Sequence, residues 1–138
     1  AQRATHSWSW AVQCFRDCAH DNSYFVPLHQ FVVRLAESRY APGLFPVQSM
    51  HTINLYQQER WSDADDVVRV EFENGEFQVQ YFPGASRPRG AGTPAVWMRR
   101  GKDGFRILED CLRHLGWFVE YRNEEDGSRP SGSGEQAR

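Results

Sequence analysis

Val67-Val68-Arg69-Val70-Glu71-Phe72-Glu73-Asn74-Gly75-Glu76-Phe77-Gln78-Val79-Gln80-Tyr81 alternates, turns and alternates again. Asn and Gly both accept the positive φ of a type I′ turn, so Asn-Gly between two such runs predicts a β-hairpin with a two-residue loop. That loop sets the register: Glu73 opposite Glu76, Phe72 opposite Phe77, Val70 opposite Val79, and Val68 opposite Tyr81. The last three pairs are apolar and share one face. Glu71 with Gln78 and Arg69 with Gln80 are polar and share the other. One register satisfies both faces, as a half-buried antiparallel pair requires.

Immediately upstream, Met50 to Gln57 reads as a strand with His51, Ile53 and Leu55 on its buried face and Met50, Thr52, Asn54 and Tyr56 on the other. This parity carries His51 inward. Between the two strands, Glu59 to Asp66 is an acidic loop around Trp61. Leu44 to Val47 is apolar about Pro46 and reads as an extended connector. Further back, Ser7 to His20 places Trp8, Ala11, Phe15 and Cys18 at helical spacing. Pro27 suits the first turn of a second helix, whose core stripe is Leu28, Phe31, Val32 and Leu35, with His29, Arg34 and Glu37 left for water. Ala41-Pro42-Gly43 forces that helix to stop near Arg39.

Downstream, residues 83–94 hold three prolines and three glycines with no large apolar side chain, the composition of a long loop. Ala95 to Arg99 is a short strand with Val96 and Met98 on one face and Trp97 and Arg99 on the other, the second pair facing solvent. Asp103 offers an N-cap to a helix marked by Phe105, Leu108, Leu112 and Leu115, and Gly116 suits its C-terminus. Trp117 to Tyr121 reads as a last edge strand or a strip over the helix end. Residues 123–138 contain no core-forming side chain and read as a disordered polar tail.

Consecutive strands flanked by helices define an α+β fold. The expected architecture is an antiparallel sheet of about four strands, with the hairpin 67–81 at its centre, and two N-terminal helices and one C-terminal helix packed on one face. With 138 residues, 40% hydrophobic and 14% aromatic, the chain can bury one core. A single domain over residues 1–122 is expected, followed by the tail 123–138. No apolar run reaches the roughly 18 to 20 residues that span a bilayer, and no basic-then-apolar leader is visible. Three cysteines, an odd number, fit free thiols in a reducing compartment. The expectation is a soluble, cytoplasmic protein without a membrane partner.

Net charge is −2, but it is unevenly placed. Glu59 to Glu76 carries seven acids against Arg60 and Arg69, whereas Arg87, Arg89, Arg99, Arg100, Lys102 and Arg106 face only Asp103 over the stretch 87–106. Such polarity either neutralises itself across the sheet or steers a charged partner.

No G-x-S-x-G, P-loop or G-x-G-x-x-G is present. Cys14 and Cys18, with Cys111 and His114 far along the chain, lack the spacing of a zinc knuckle and read as small buried hydrophobes. Asp63, Asp65 and Asp66 lack the spaced ligands and closing glutamate of a calcium loop. No catalytic residue, metal ligand or cofactor is therefore assigned. Five tryptophans are too many for one small core, and tryptophan and arginine dominate protein interfaces. The favoured reading is a non-enzymatic protein-binding module, inhibitor- or adaptor-like, acting through Trp61, Trp97, Arg99, Arg100, Arg87 and Arg89. Its partner is another protein, and the oligomeric state is left open. The alternatives are a small-ligand or enzymatic pocket near His51, Tyr56 and Arg99, and nucleic-acid binding through Arg87 to Lys102.

Overall fold

A computed structural model of the chain describes residues 2–49, 51–84 and 95–118. Most of the expected loop 83–94, with Arg87 and Arg89, lies outside these residues, as do the end of the segment 117–121 and the tail 123–138. The elements run β1 (Arg3–Ala4), α1 (Trp8–Asp21), α2 (Val26–Ala36), β2 (Phe45–Ser49), β3 (Thr52–Tyr56), β4 (Arg60–Trp61), β5 (Val67–Glu73), β6 (Glu76–Phe82), β7 (Trp97–Gly101) and α3 (Gly104–Leu115). They form an α+β fold with two antiparallel sheets, one pairing β1 with β4 and one of five strands in the order β2-β3-β5-β6-β7.

The hairpin has the register that its turn dictates. Val68 faces Tyr81, Val70 faces Val79, Phe72 faces Phe77 and Glu73 faces Glu76. Asn74 and Gly75 lie at φ 55° and 80°, the doubly left-handed geometry that a type I′ turn imposes.

The main sheet has five strands where four were expected, because Leu44–Val47 belongs largely to strand β2 and is no mere connector. Proline removes a ladder donor, but an edge strand has a side on which no donor is needed. Pro46 accordingly sits on the edge opposite Leu55, and its carbonyl accepts the His6 amide at 2.8 Å. The acidic loop also holds a strand, β4, which pairs with β1.

Reading the register across the strands separates two faces. Ile53, Val70, Val79 and Arg99 form one rank of the inner face, and Leu55, Val68, Tyr81 and Trp97 align beside it. Ile53, Leu55, Val68, Val70 and Val79 are fully buried there. Phe31 of α2 meets Phe77 from this side, ring centroids 5.3 Å apart. On the outer face the ranks are polar: Thr52, Glu71, Gln78 and Arg100, then Asn54, Arg69, Gln80 and Met98. One end of that face is closed by a small cluster of Tyr56, Val67 and Phe82, with Val47, Trp61 and Ala95 packed against it.

Helix α1 starts where Ser7 caps the Trp10 amide at 3.1 Å, and it buries Ala11 and Phe15. The Trp8 indole N–H is shared between the carbonyls of Ala41 and Leu44, both at 3.0 Å, which ties the helix to the turn leading into β2. In α2, Leu28, Phe31, Val32 and Leu35 form the buried stripe. The helix ends at Ala36, short of Arg39, because the Ser38 hydroxyl donates to the Leu35 carbonyl at 2.7 Å and closes the last turn. His29 was expected in water, yet its Nε2 is buried with no hydrogen-bond partner among the described residues.

The chain divides into two compact units, Ala1–Leu108 and Glu109–Arg138. The described part of the second is the latter half of α3 and its cap. Cys111 and Leu112 are buried, Arg113 pairs with Asp110 at 3.0 Å, and Gly116 at φ 72° returns its amide to the Leu112 carbonyl at 3.0 Å. Among the described residues no helix is long and apolar enough to cross a membrane.

Candidate functional site

Strand β7 lies at one edge of the five-stranded sheet, and among the described strands only β6 pairs with it. Alternate residues of an antiparallel edge strand turn their N–H and C=O groups away from the neighbour, which makes the edge a template for another strand. The side chains on it depart from the sequence expectation. Because Trp97 pairs with Tyr81 and Arg99 with Val79, this pair falls on the inner face. Trp97 is half-buried, and the Arg99 guanidinium lies 5.1 Å from its ring centroid. Met98 takes the opposite face and is 54% exposed, and Val96, just before the strand, is 67% exposed. Each face of this short strand carries an apolar side chain, Trp97 on one and Met98 on the other, so alternation alone leaves the choice open; the β6 register makes it. The signal missed was that Trp97 falls in line with Tyr81.

Arg100 follows Met98 on the outer face and donates to the neutral Gln78 amide oxygen, from Nε at 3.0 Å and also from Nη2. Arg69 is held in the same face by Asn54, with Nε donating at 3.0 Å, and by the Phe82 ring, whose centroid lies 5.1 Å from Cζ. The positive end of the outer face is thus the β7 edge.

Trp61 is not an exposed anchor. Its ring stacks on Tyr56 with centroids 4.6 Å apart and planes 21° from parallel, while Arg3 covers it with Cζ 4.8 Å from the centroid. Its Nε1 is buried with no hydrogen-bond partner among the described residues. The acids around it serve the loop: Asp65 accepts the Ser62 amide at 2.7 Å and Asp66 accepts the Gly84 amide at 2.8 Å.

His51, Tyr56 and Arg99 do not converge. His51 precedes β3 and is exposed, because the strand begins only at Thr52; its ring lies 6.5 Å from that of Phe25, centroid to centroid. Tyr56 is buried in the outer-face cluster, and Arg99 is on the inner face three strands away. A pocket does exist elsewhere: a groove of about 500 Å³ between α2 and the start of α3, whose lining includes Phe31, Phe77, Phe105, Arg34, Lys102 and Asp103. Nothing in the spacing of these residues pointed to it, since their meeting depends on how α3 enters the fold.

Cys14 and Cys18 are half-buried free thiols on α1. Burial, followed by the nearby Cys18 and Asp17, pushes the Cys14 thiol above its ordinary value, so it stays protonated and a poor nucleophile. Among the described residues no group of three or more His, Cys, Asp or Glu is placed to hold a metal.

No protein-family model, curated protein or solved structure matches the chain. Geometry therefore carries the functional reading.

Proposed function

We propose that the chain is a non-enzymatic protein-binding module, inhibitor- or adaptor-like, that takes an extended acidic segment of a partner protein along the edge of β7. The observation that carries this reading is the exposed pair Val96 and Met98 at an edge strand, followed on the same face by Arg100. An added strand gains main-chain hydrogen bonds from the edge, and alternate side chains provide specificity. Apolar residues of the incoming segment lie on Val96 and Met98, and its acids meet Arg100. Compared with the sequence expectation, the apolar anchors move from Trp61 and Trp97 to Val96 and Met98, while Arg100 keeps its part.

A selection of random dodecapeptides displayed on phage tests the reading. Enriched peptides should alternate apolar residues and carry a net negative charge. Their affinity should fall more than tenfold on Met98→Glu, and Arg100→Glu should chiefly slow association, with an effect that shrinks as salt rises. Enrichment of basic or unpatterned peptides, or binding indifferent to both variants, would contradict it.

A further inference from the structure

We infer that the groove between α2 and the start of α3 is a second binding site, for a small carboxylic acid with a flat apolar body. It is an open groove of about 500 Å³, within the size range of small-molecule sites. The apolar part is aromatic: Phe31 and Phe77 meet with centroids 5.3 Å apart, and Phe105 closes one side. Over Phe105 lies the Arg34 guanidinium, its Cζ 4.1 Å from the ring centroid. That cation–π contact keeps the guanidinium at the aromatic wall, and its N–H groups match the planar geometry of a carboxylate.

Charge narrows the ligand further. Arg34 and Lys102 are the cations of the lining and Asp103 its one acid, leaving a single positive charge. The Asp103 carboxylate is already engaged, accepting the Arg106 amide at 3.2 Å as the cap of α3. A monoanion balances this lining, whereas a phosphate dianion would overcompensate it. Gln30 and Pro27 complete the α2 side with neutral surface. The groove's Arg34 and Phe31 belong to α2, whereas Met98 and Arg100 of the edge site belong to β7.

Calorimetric titration of the whole chain with 1-naphthaleneacetate, and with the neutral 1-naphthaleneethanol, tests the inference. The acid should bind saturably at one site, and at least tenfold more tightly than the alcohol. Arg34→Gln should weaken the acid at least tenfold and leave the alcohol within twofold; Arg34→Lys should fall between, because charge is kept and the flat stacked group is lost. Lys102→Gln, at an exposed position, gives a second variant whose folding is not in question, and it should weaken the acid several-fold. Absence of saturable binding, equal affinity for acid and alcohol, or indifference of the acid to both Arg34→Gln and Lys102→Gln would overturn the inference. Peptide binding at β7 should be unchanged in the Arg34 variants, which keeps the two sites distinguishable.

Discussion

Gly104, the first residue of α3, lies directly against the ring of Phe77: a β-carbon built on it would come within 2.5 Å of the ring. Glycine here is a matter of space, since the helix start is seated on an aromatic side chain that is itself only 7% exposed. Gly104→Ala should therefore destabilise the fold by about 1 to 3 kcal/mol, the usual cost of overpacking, even though alanine favours helix. Urea denaturation of the two proteins measures it, and a stabilised variant would show that the ring gives way freely.

Asn74 and Gly75 both have positive φ, which alanine adopts only with strain. Replacing the pair by Ala-Ala should lower stability by about 1 to 3 kcal/mol. Chemical denaturation again decides; a loss under about 0.3 kcal/mol would mean that the turn tolerates another geometry.

Trp61 is packed between Tyr56 and Arg3. Trp61→Ala should cost about 1 to 3 kcal/mol of stability, less than for a fully buried tryptophan because the residue is only partly enclosed. Trp61→Phe should stay close to the wild type, since the indole N–H it removes has no partner among the described residues. Thermal unfolding of both variants gives the comparison, and equal losses would contradict the stacking argument.

His29 provides a pH signature. Burial, with the Arg16 charge adding to it, holds its imidazole below the ordinary histidine value. The unfolded chain therefore takes up a proton at a higher pH than the folded one does. Stability is fully present above the ordinary value of about 6.5 and declines as pH falls from there toward the lowered folded value. His29→Leu should flatten the stability profile between pH 7 and 5. Parallel profiles for variant and wild type would show that His29 does not contribute.

How far the sequence could be read depended on how many constraints each segment carried. The hairpin was readable to the residue because a turn and two faces agree on one register. The α2 stripe was readable from Leu28, Phe31, Val32 and Leu35 alone. Strand β2 escaped because Pro46 speaks against a strand unless the strand is already known to be an edge. Trp97 and Met98 exchanged faces because β7 has apolar residues on both, and only pairing with β6 distinguishes them. His51 fell outside β3 because the strand starts two residues later than expected, at Thr52, which leaves exposed a side chain that alternation had placed inside. The groove was invisible because it brings together α2, β6 and the start of α3, an arrangement that no local pattern records.

The most direct test of binding at β7 is backbone amide hydrogen exchange, measured with and without a peptide from the phage selection. Strand addition predicts that alternate amides between Trp97 and Gly101, those turned away from β6, slow by at least tenfold in the complex, while the amides of the central strand β5 exchange as before. Unchanged exchange along β7, with protection appearing instead on another surface, would contradict the assignment of this edge as the binding site.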